Sequence, residues 1–185
     1  MTRTFVITGS ASGIGLATAE KLKSLGNTVI GIDIHNADVV ADLSTPQGRI
    51  DAAKKAIDLS QNSIDVVIAC AGLAHPTATT VSVNYFGVTE FLNELLPTIS
   101  QSKTPRVVIT SSVASIMPNS AELVEAMCAN DEAKAVEIAQ ALVTAGGGGE
   151  QLIYGSTKRA ISRWIRQQCL KPHWAGAGIP INAVG

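Results

Sequence analysis

An apolar run followed by a glycine-rich turn and a helical pattern opens this chain and restricts its fold more than any other feature. The run Thr4-Phe5-Val6-Ile7 leads into Thr8-Gly9-Ser10-Ala11-Ser12-Gly13-Ile14-Gly15, and apolar residues then recur at helical spacing. Such a turn aims backbone N–H groups at an anion, although three glycines alone are equally compatible with an ordinary loop. The residues predicted to cradle a phosphate are Gly9, Ser12, Gly13, Ile14 and Gly15.

Continuous apolar runs alternate with helical patterns along the rest of the chain. After the first run, the predicted strands are Thr28–Asp33, 38–43, 64–69, Arg106–Thr110 and 178–184. Runs that are apolar throughout indicate strands covered on both faces, as in a parallel sheet with right-handed crossovers. We therefore predict an α/β fold: a Rossmann-like doubly wound parallel sheet in three α/β/α layers. It forms a single domain over residues 1–185 and is truncated after the sixth strand.

The segments between these runs are predicted to be helical. The main helices are expected at 46–60, 80–99 and 154–168. The first has its apolar face at Ile50, Ala53, Ala56 and Ile57. Helical patterns at 121–129 and 132–145 are followed by four consecutive glycines, so we expect residues 116–150 to form a helical insertion with a flexible return.

Composition narrows the possible partners. A net charge of −1, with Lys and Arg spread along the chain, provides no basic patch for nucleic acid or an anionic membrane. Cys70, Cys128 and Cys169 lie far apart without a C-x-x-C pair, so we expect neither a disulfide framework nor a metal site. No apolar run approaches the roughly 18 residues of a membrane span. These features favour a cytoplasmic protein that binds small molecules, with no nucleic-acid or membrane partner.

An aspartate ends the second apolar run. Asp33 follows the glycine turn at about the distance where an acid accepts hydrogen bonds from an adenosine ribose. The alternative is an aspartate that merely ends a strand, and the upstream glycine turn favours the cofactor. Ile34 and His35 come next, so no Arg or Lys stands beside Asp33 to pair with a 2′-phosphate. The sequence therefore favours NAD over NADP, with Asp33 and Ile34 in the site.

A tyrosine and a lysine share one face of the predicted helix at 154–168. Tyr154 and Lys158 are four positions apart, which brings their side chains together. An ammonium beside a phenol stabilises the phenolate and suits the phenol for proton transfer. Ser112 follows the fifth strand, where it can hold a carbonyl oxygen or simply cap a turn.

Taken together, these motifs identify the chain as similar to the short-chain dehydrogenase/reductase family. The matching residues are Thr8-Gly9-x-x-x-Gly13-x-Gly15, Cys70-Ala71-Gly72, Asn84, Ser112 and Tyr154-x-x-x-Lys158, in the family's order. The resemblance implies that Tyr154 is the general acid/base, that Lys158 assists it and binds ribose, and that Ser112 holds the substrate oxygen. It also implies that Asn84 supports a water-linked proton relay. The implied cofactor contacts are Asp42, Leu43, Cys70, Ala71, Gly72, Tyr154 and Lys158.

Within this family the chain most resembles the 3α-hydroxysteroid dehydrogenase/carbonyl reductase branch. The resemblance rests on Gly31-Ile32-Asp33-Ile34, Ala41-Asp42-Leu43-Ser44-Thr45 and Val81-Ser82-Val83-Asn84-Tyr85-Phe86-Gly87. It implies an NAD(H)-dependent oxidoreductase that interconverts a secondary alcohol and a ketone, in a homo-oligomer (a dimer or tetramer). Two alternatives remain: a dehydrogenase of aromatic alcohols of the coniferyl type, and a truncated NAD-binding module without turnover.

Two features depart from the family pattern. Ser112 and Tyr154 are 42 positions apart, farther than in the family, because of the insertion. Family dimers often use the outer face of the nearby helix, so we hypothesise that the insertion blocks or remodels that interface. The family's substrate-covering loop, helix and seventh strand do not follow the sixth strand. The sixth strand is therefore expected at an exposed edge, and the substrate pocket is expected to lack one wall.

Overall fold

The computed structural model describes residues 2–185 and has alternating strands and helices. The strands are β1 (Thr4–Thr8), β2 (Thr28–Asp33), β3 (Val39–Val40), β4 (Val66–Ala69), β5 (Arg106–Thr110) and β6 (Ile181–Val184). The α-helices are α1 (Gly13–Ser24), α2 (Pro46–Leu59), α3 (Ala78–Val81), α4 (Gly87–Ile99), α5 (Ala121–Cys128), α6 (Glu132–Ala145) and α7 (Leu152–Gln168). Short 3₁₀ turns cover Val113–Ile116 and Gly149–Gln151, and π-helical turns cover Ser82–Phe86 and Pro172–Gly176.

The six strands form one parallel sheet in the order β3-β2-β1-β4-β5-β6. The strand order reverses between β1 and β4, and in open α/β sheets ligands bind at such a point, outside the carboxyl ends of the strands. The predicted Rossmann-like parallel sheet is confirmed.

Side chains alternate between the two faces of the sheet and create three layers. Phe5 and Ile7 of β1 pack with Ala19 of α1 on one face, while Val6 belongs to the larger core on the other face. Helices α2, α4 and α7 contribute to that larger core, as do α5 and α6. Because both faces are covered, the strands are apolar at nearly every position, which is why the sequence predicts them well.

Three predicted strands are longer than the observed ones. β3 is limited to two residues because the flanking aspartates fold back on the backbone: Asp38 Oδ2 accepts from Gly31 N (2.7 Å) and Asp42 Oδ1 from Ser44 N (2.8 Å). β4 begins at Val66 rather than at 64. β6 begins only after Pro180, which has no N–H to donate to a neighbouring strand.

The helical segments largely follow the predicted pattern. The helix expected at 80–99 is continuous but contains the π-helical turn Ser82–Phe86, and α7 begins two residues before Tyr154. The helices expected in the insertion are present as α5 and α6, and α5 packs against α7. Within residues 2–185, no helix is both long enough and apolar enough to cross a membrane.

Candidate active site

A cavity of about 680 Å³ opens at the carboxyl ends of the strands, where the strand order reverses. Most of the predicted cofactor residues line it. They are Gly9, Ser12, Gly13, Ile14, Gly15, Asp33, Ile34, Asp42, Leu43, Cys70, Ala71 and Gly72. Segments far apart in the chain therefore meet at one site, as their positions at strand ends predict.

Two glycines allow the turn after β1 to fold against its neighbours. Gly9 has a φ of +71°, and a Cβ there would lie 2.8 Å from the backbone nitrogen of Ala71. A Cβ at Gly15 would overlap the carbonyl oxygen of Gly9. The first turn of α1 thus lies directly on the loop, and no larger residue fits at either position without a backbone shift.

The N-terminus of α1 faces this cavity. Ser12 is its N-cap residue, and within residues 2–185 its hydroxyl makes no capping hydrogen bond. The side chains of Thr45, Ser120 and Asp131, by contrast, cap the helices α2, α5 and α6. The first N–H groups of a helix carry partial positive charge and need an acceptor. This helix end is therefore suited to a phosphate, as the glycine pattern predicts.

Asp33 lies at the end of β2 on the cavity wall. Its Oδ2 accepts a hydrogen bond from Ala11 N (2.9 Å) and its Oδ1 from Ile34 N (2.7 Å). These bonds fix the carboxylate and leave each oxygen a second lone pair for a sugar hydroxyl. No Lys or Arg side chain is among the described residues that line the cavity. Because Asp33 and Asp42 line it, the wall is acidic, which fits a ribose with a free 2′-hydroxyl.

Side-chain hydrogen bonds join the ends of β1, β4 and β5 beneath the cavity. Thr8 Oγ1 accepts from Ala71 N (3.1 Å), and the Thr110 hydroxyl donates to Cys70 Sγ (3.2 Å). Lys158 reaches the same edge, where its Nζ donates to Thr110 O (2.8 Å). The predicted lysine is therefore held beside the cavity rather than in solvent.

Tyr154 and Lys158 lie next to each other on α7, as their spacing predicts. Lys158 Nζ is 5.7 Å from the centre of the Tyr154 ring. Lys158 is 7% exposed, and burial lowers the pKa of its ammonium, an effect that the nearby Cys70 opposes. Tyr85, the other tyrosine of the chain, is buried among core residues, and this burial raises the pKa of its phenol. Of the two tyrosines, Tyr154 is thus the one that lies beside the lysine on α7.

Ser112 follows β5 and begins the 3₁₀ turn Val113–Ile116. Its Oγ accepts from Ala114 N (3.1 Å), so it caps this turn. The turn and the residues just after it pack on α7, where a Cβ at Gly155 would lie 3.4 Å from Ala114 O and 2.8 Å from Pro118 O. The structure thus places Ser112 on a segment in contact with the Tyr154 helix, despite the long insertion between them.

The side chain of Asn84 holds the loop after β4. Its Oδ1 accepts from Leu73 N (2.7 Å), and its Nδ2 donates to Leu73 O (2.8 Å) and to Thr157 Oγ1 (3.2 Å). Asn84 lies in the π-helical turn, so it joins that turn to the cavity loop and to α7. Both amide hydrogens are engaged, and the proton relay implied by the resemblance stays a prediction.

Several cavity residues are not among those predicted from the sequence. Ser44, Leu73, Thr79, Val83 and Thr110 also line the cavity. Thr110 is the last residue of a predicted strand, and Leu73 is next to the predicted cofactor contact Gly72, so these two positions could have been predicted. Val83 and Thr79 lie on a helix whose orientation depends on packing, so no local pattern identifies them.

A parallel sheet, a glycine turn that leads into an uncapped helix and an acid at the end of β2 define a dinucleotide-binding protein. The model of the short chain dehydrogenase family matches residues 3–124. The chain belongs to this family of oxidoreductases, as the sequence motifs predict. Within residues 2–185, no group of three His, Cys, Asp or Glu side chains is placed to hold a metal ion.

Relatives of known activity extend this comparison. A 3-alpha-hydroxysteroid dehydrogenase/carbonyl reductase of Comamonas testosteroni is 38% identical over 184 residues, which cover 97% of this chain and 70% of that protein. The crystal structure of a 3-alpha-hydroxysteroid dehydrogenase from Pseudomonas sp. B-0831 complexed with NADH superposes with a TM-score of 0.89 at 41% identity. That match covers 98% of this chain and 77% of the other. A coniferyl-alcohol dehydrogenase from a Pseudomonas strain is 39% identical over 95 residues, 48% of this chain and 36% of that protein.

Proposed function

We propose that this chain is an NAD(H)-dependent dehydrogenase that interconverts a secondary alcohol and a ketone, with 3-hydroxysteroids and 3-ketosteroids as its substrate class. One observation carries the proposal: the glycine turn, Asp33 and the Lys158–Thr110 contact converge on one cavity edge. A dinucleotide bound along the strand ends would therefore extend from Asp33 to the Tyr154 helix. The substrate class is supported by the hydroxysteroid dehydrogenase relatives.

The residues present fit NAD(H). In this proposal the uncapped N-terminus of α1 binds the pyrophosphate, and the free lone pairs of Asp33 accept from the adenosine ribose. Asp42 and Leu43 contact the adenine, and Lys158 holds the other ribose. NADPH is disfavoured because its 2′-phosphate would meet the Asp33 carboxylate with no cation on the cavity wall to offset the repulsion.

The proposed chemistry divides between the cofactor and three side chains. When bound, the nicotinamide ring donates the hydride to the carbonyl carbon or accepts it from the alcohol. Tyr154 donates the proton to the carbonyl oxygen, or removes it in the reverse direction. Ser112 donates a hydrogen bond to the same oxygen, and the Lys158 ammonium stabilises the phenolate that forms. The Thr110 carbonyl keeps Lys158 in place.

An apolar substrate fits the surface beside Ser112. Val113 is 70% exposed, Ile116 76% and Met117 54%, and all three lie in the segment that begins after Ser112. Exposed apolar residues grouped next to a catalytic group indicate a binding surface. A steroid skeleton would cover this surface, and so would the smaller ring of a coniferyl-type alcohol, which is the second candidate because of the coniferyl-alcohol dehydrogenase relative.

The test is cofactor binding followed by turnover. NADH and NADPH are titrated against the protein by fluorescence, and NADH oxidation is then measured with a 3-ketosteroid, and NAD reduction with coniferyl alcohol. We expect NADH to bind at least about tenfold more tightly than NADPH, with turnover of the ketosteroid. Turnover of coniferyl alcohol alone would support the second candidate. Binding without any turnover would indicate a nucleotide-binding module, and absence of NADH binding would refute the proposal.

We also propose a homo-oligomer whose contact avoids the outer face of α7. Helix α5 packs on that helix, and an ion pair joins Arg163 of α7 to Glu125 of α5 (2.5 Å). A second subunit would have to displace α5 to reach the covered part of α7. Light scattering after size-exclusion chromatography should show a dimer or tetramer, and a crystal dimer built on an exposed α7 face would contradict the proposed arrangement.

A further inference from the structure

A buried arginine outside the catalytic set joins the insertion to the cavity wall. Arg49 lies in the first turns of α2 and is 0% exposed. Its guanidinium contacts Glu90 of α4 and Glu132 of α6, the second helix of the insertion. An arginine this deeply buried is rare unless its charge and its hydrogen-bond donors are fully matched.

Every nitrogen of this guanidinium is engaged. Nε donates to Leu43 O (2.8 Å), and Nη2 donates to Ser44 O (3.1 Å) and Ser82 O (3.3 Å). Glu132 is bound in bidentate fashion, at 2.6 Å from both Nη1 and Nη2, while Nη1 also donates to Glu90 at 2.7 Å. Such forked pairs fix geometry as well as charge. The guanidinium thus has one orientation, and it determines where the three carbonyl groups lie.

Two of these carbonyls belong to residues that line the cavity, and the third belongs to a residue next to one that does. Leu43 and Ser44 line the cavity, and Ser82 precedes Val83, which also lines it. Helix α4 adds to this contact, because a Cβ at Gly87 would lie only 3.2 Å from Leu43 O. The backbone on both sides of this end of the cavity is therefore held from behind by one side chain.

We propose that Arg49 is a positioning residue for the adenine end of the cofactor site, and that Glu132 makes cofactor affinity depend on the docking of the insertion. The inference rests on the proposed function, in which Asp42 and Leu43 contact adenine. Without Glu132, the guanidinium is drawn toward Glu90 and away from Ser44 and Ser82, which loosens the adenine wall. In the described part of the chain, Arg49 makes no hydrogen bond to Thr110 or Lys158, which hold the nicotinamide end.

The experiment compares Glu132→Ala with Glu137→Ala. Both glutamates lie on α6, but the Glu137 side chain is 70% exposed, and within residues 2–185 its ion pair is with Lys134. Affinities are measured by titration for NADH, for AMP as a probe of the adenine end, and for reduced nicotinamide mononucleotide as a probe of the nicotinamide end. We expect Glu132→Ala to weaken the binding of NADH and of AMP by about fivefold or more. The affinity for the mononucleotide and the kcat at saturating NADH should be unchanged. Glu137→Ala should match the wild type.

The outcomes separate the inference from the function on which it rests. If NADH and AMP bind Glu132→Ala as tightly as the wild type, the inference is wrong and the proposed function stands. Equal weakening of NADH and the mononucleotide would mean a general loss of structure and would also overturn it. A wild type that binds no NADH refutes both. Glu132→Gln, which keeps one acceptor for Arg49, replaces the alanine variant if the latter does not fold, with the same expected pattern.

Discussion

The cofactor end of the cavity and the reaction end are built differently. At the cofactor end, the glycine turn and Asp33 lie within the first strand–helix–strand unit, and the Ala11–Asp33 hydrogen bond closes that unit. At the reaction end, Ser112 and Tyr154 are separated by the insertion, and packing between Gly155 and Pro118 brings their segments together. A local motif thus creates the first site, whereas the second depends on the whole fold. We expect substitutions at the two ends to separate binding from turnover.

The largest expected effect is at the reaction end. Tyr154→Phe removes the proposed proton donor and keeps the ring beside Lys158, so kcat should fall by about 10²–10⁴-fold. NADH affinity, measured by fluorescence titration, should stay within about twofold of the wild type. Tyr85→Phe is the matched control because it removes the buried hydroxyl of the chain's other tyrosine. Equal activities of the two variants would show that Tyr154 does not carry the proton.

Gly15→Ala tests the cofactor end. The added Cβ would overlap Gly9 O, which forces α1 away from the loop. We expect NADH affinity to fall by at least about tenfold, because the helix N-terminus loses its position. Gly26→Ala is the control: its φ is +80° but nothing lies within 4 Å, so it should cost about 1 kcal/mol of stability and leave NADH affinity intact. Equal NADH affinities in the two variants would contradict the proposed packing role.

Asp33→Asn tests the preference for NADH over NADPH. Loss of the charge weakens the charge-assisted bonds to ribose, and we expect about tenfold weaker NADH binding. The affinity for NADPH should fall less than the affinity for NADH, so the ratio of the two affinities should become smaller. Asp38→Asn is a suitable control, since Asp38 also accepts a backbone hydrogen bond from β2 but does not line this cavity. An unchanged NADH:NADPH ratio would contradict the ribose assignment.

The smallest expected effect concerns stability. Burial lowers the pKa of Lys158, so the unfolded chain binds the proton more tightly, and stability rises with pH between the lowered pKa and about 10.4. Below that pH range Lys158 is protonated in the folded chain, and burial of its ammonium lowers the free energy of unfolding by the full amount. Lys158→Met should therefore change the free energy of unfolding by only about 1 kcal/mol at neutral pH, in the stabilising direction, while turnover is lost. The stability gain should shrink as the pH rises toward 10.4, and thermal melts that show it growing would contradict this sign.

The contrast between local motifs and long-range packing also explains which features the sequence could predict. Continuous apolar runs placed all six strands and hence the fold, and the residues at their ends led to the cavity. The buried face of α2 was only partly predicted: Ala53 and Ala56 are buried, but Ile50 and Ile57 are half-buried. Arg49 takes the expected place of an apolar residue because Glu90 and Glu132 match its charge. Glu132 lies 83 positions away, so no local pattern could reveal that pair.

The most direct test of hydride transfer in this chain uses NADH deuterated at both C4 positions of the nicotinamide ring, with a 3-ketosteroid as acceptor. We predict that the alcohol product carries one deuterium on the carbinol carbon, detected by mass spectrometry, and that Tyr154→Phe forms this product far more slowly. An alcohol without deuterium, or no alcohol at all with NADH bound, would contradict it.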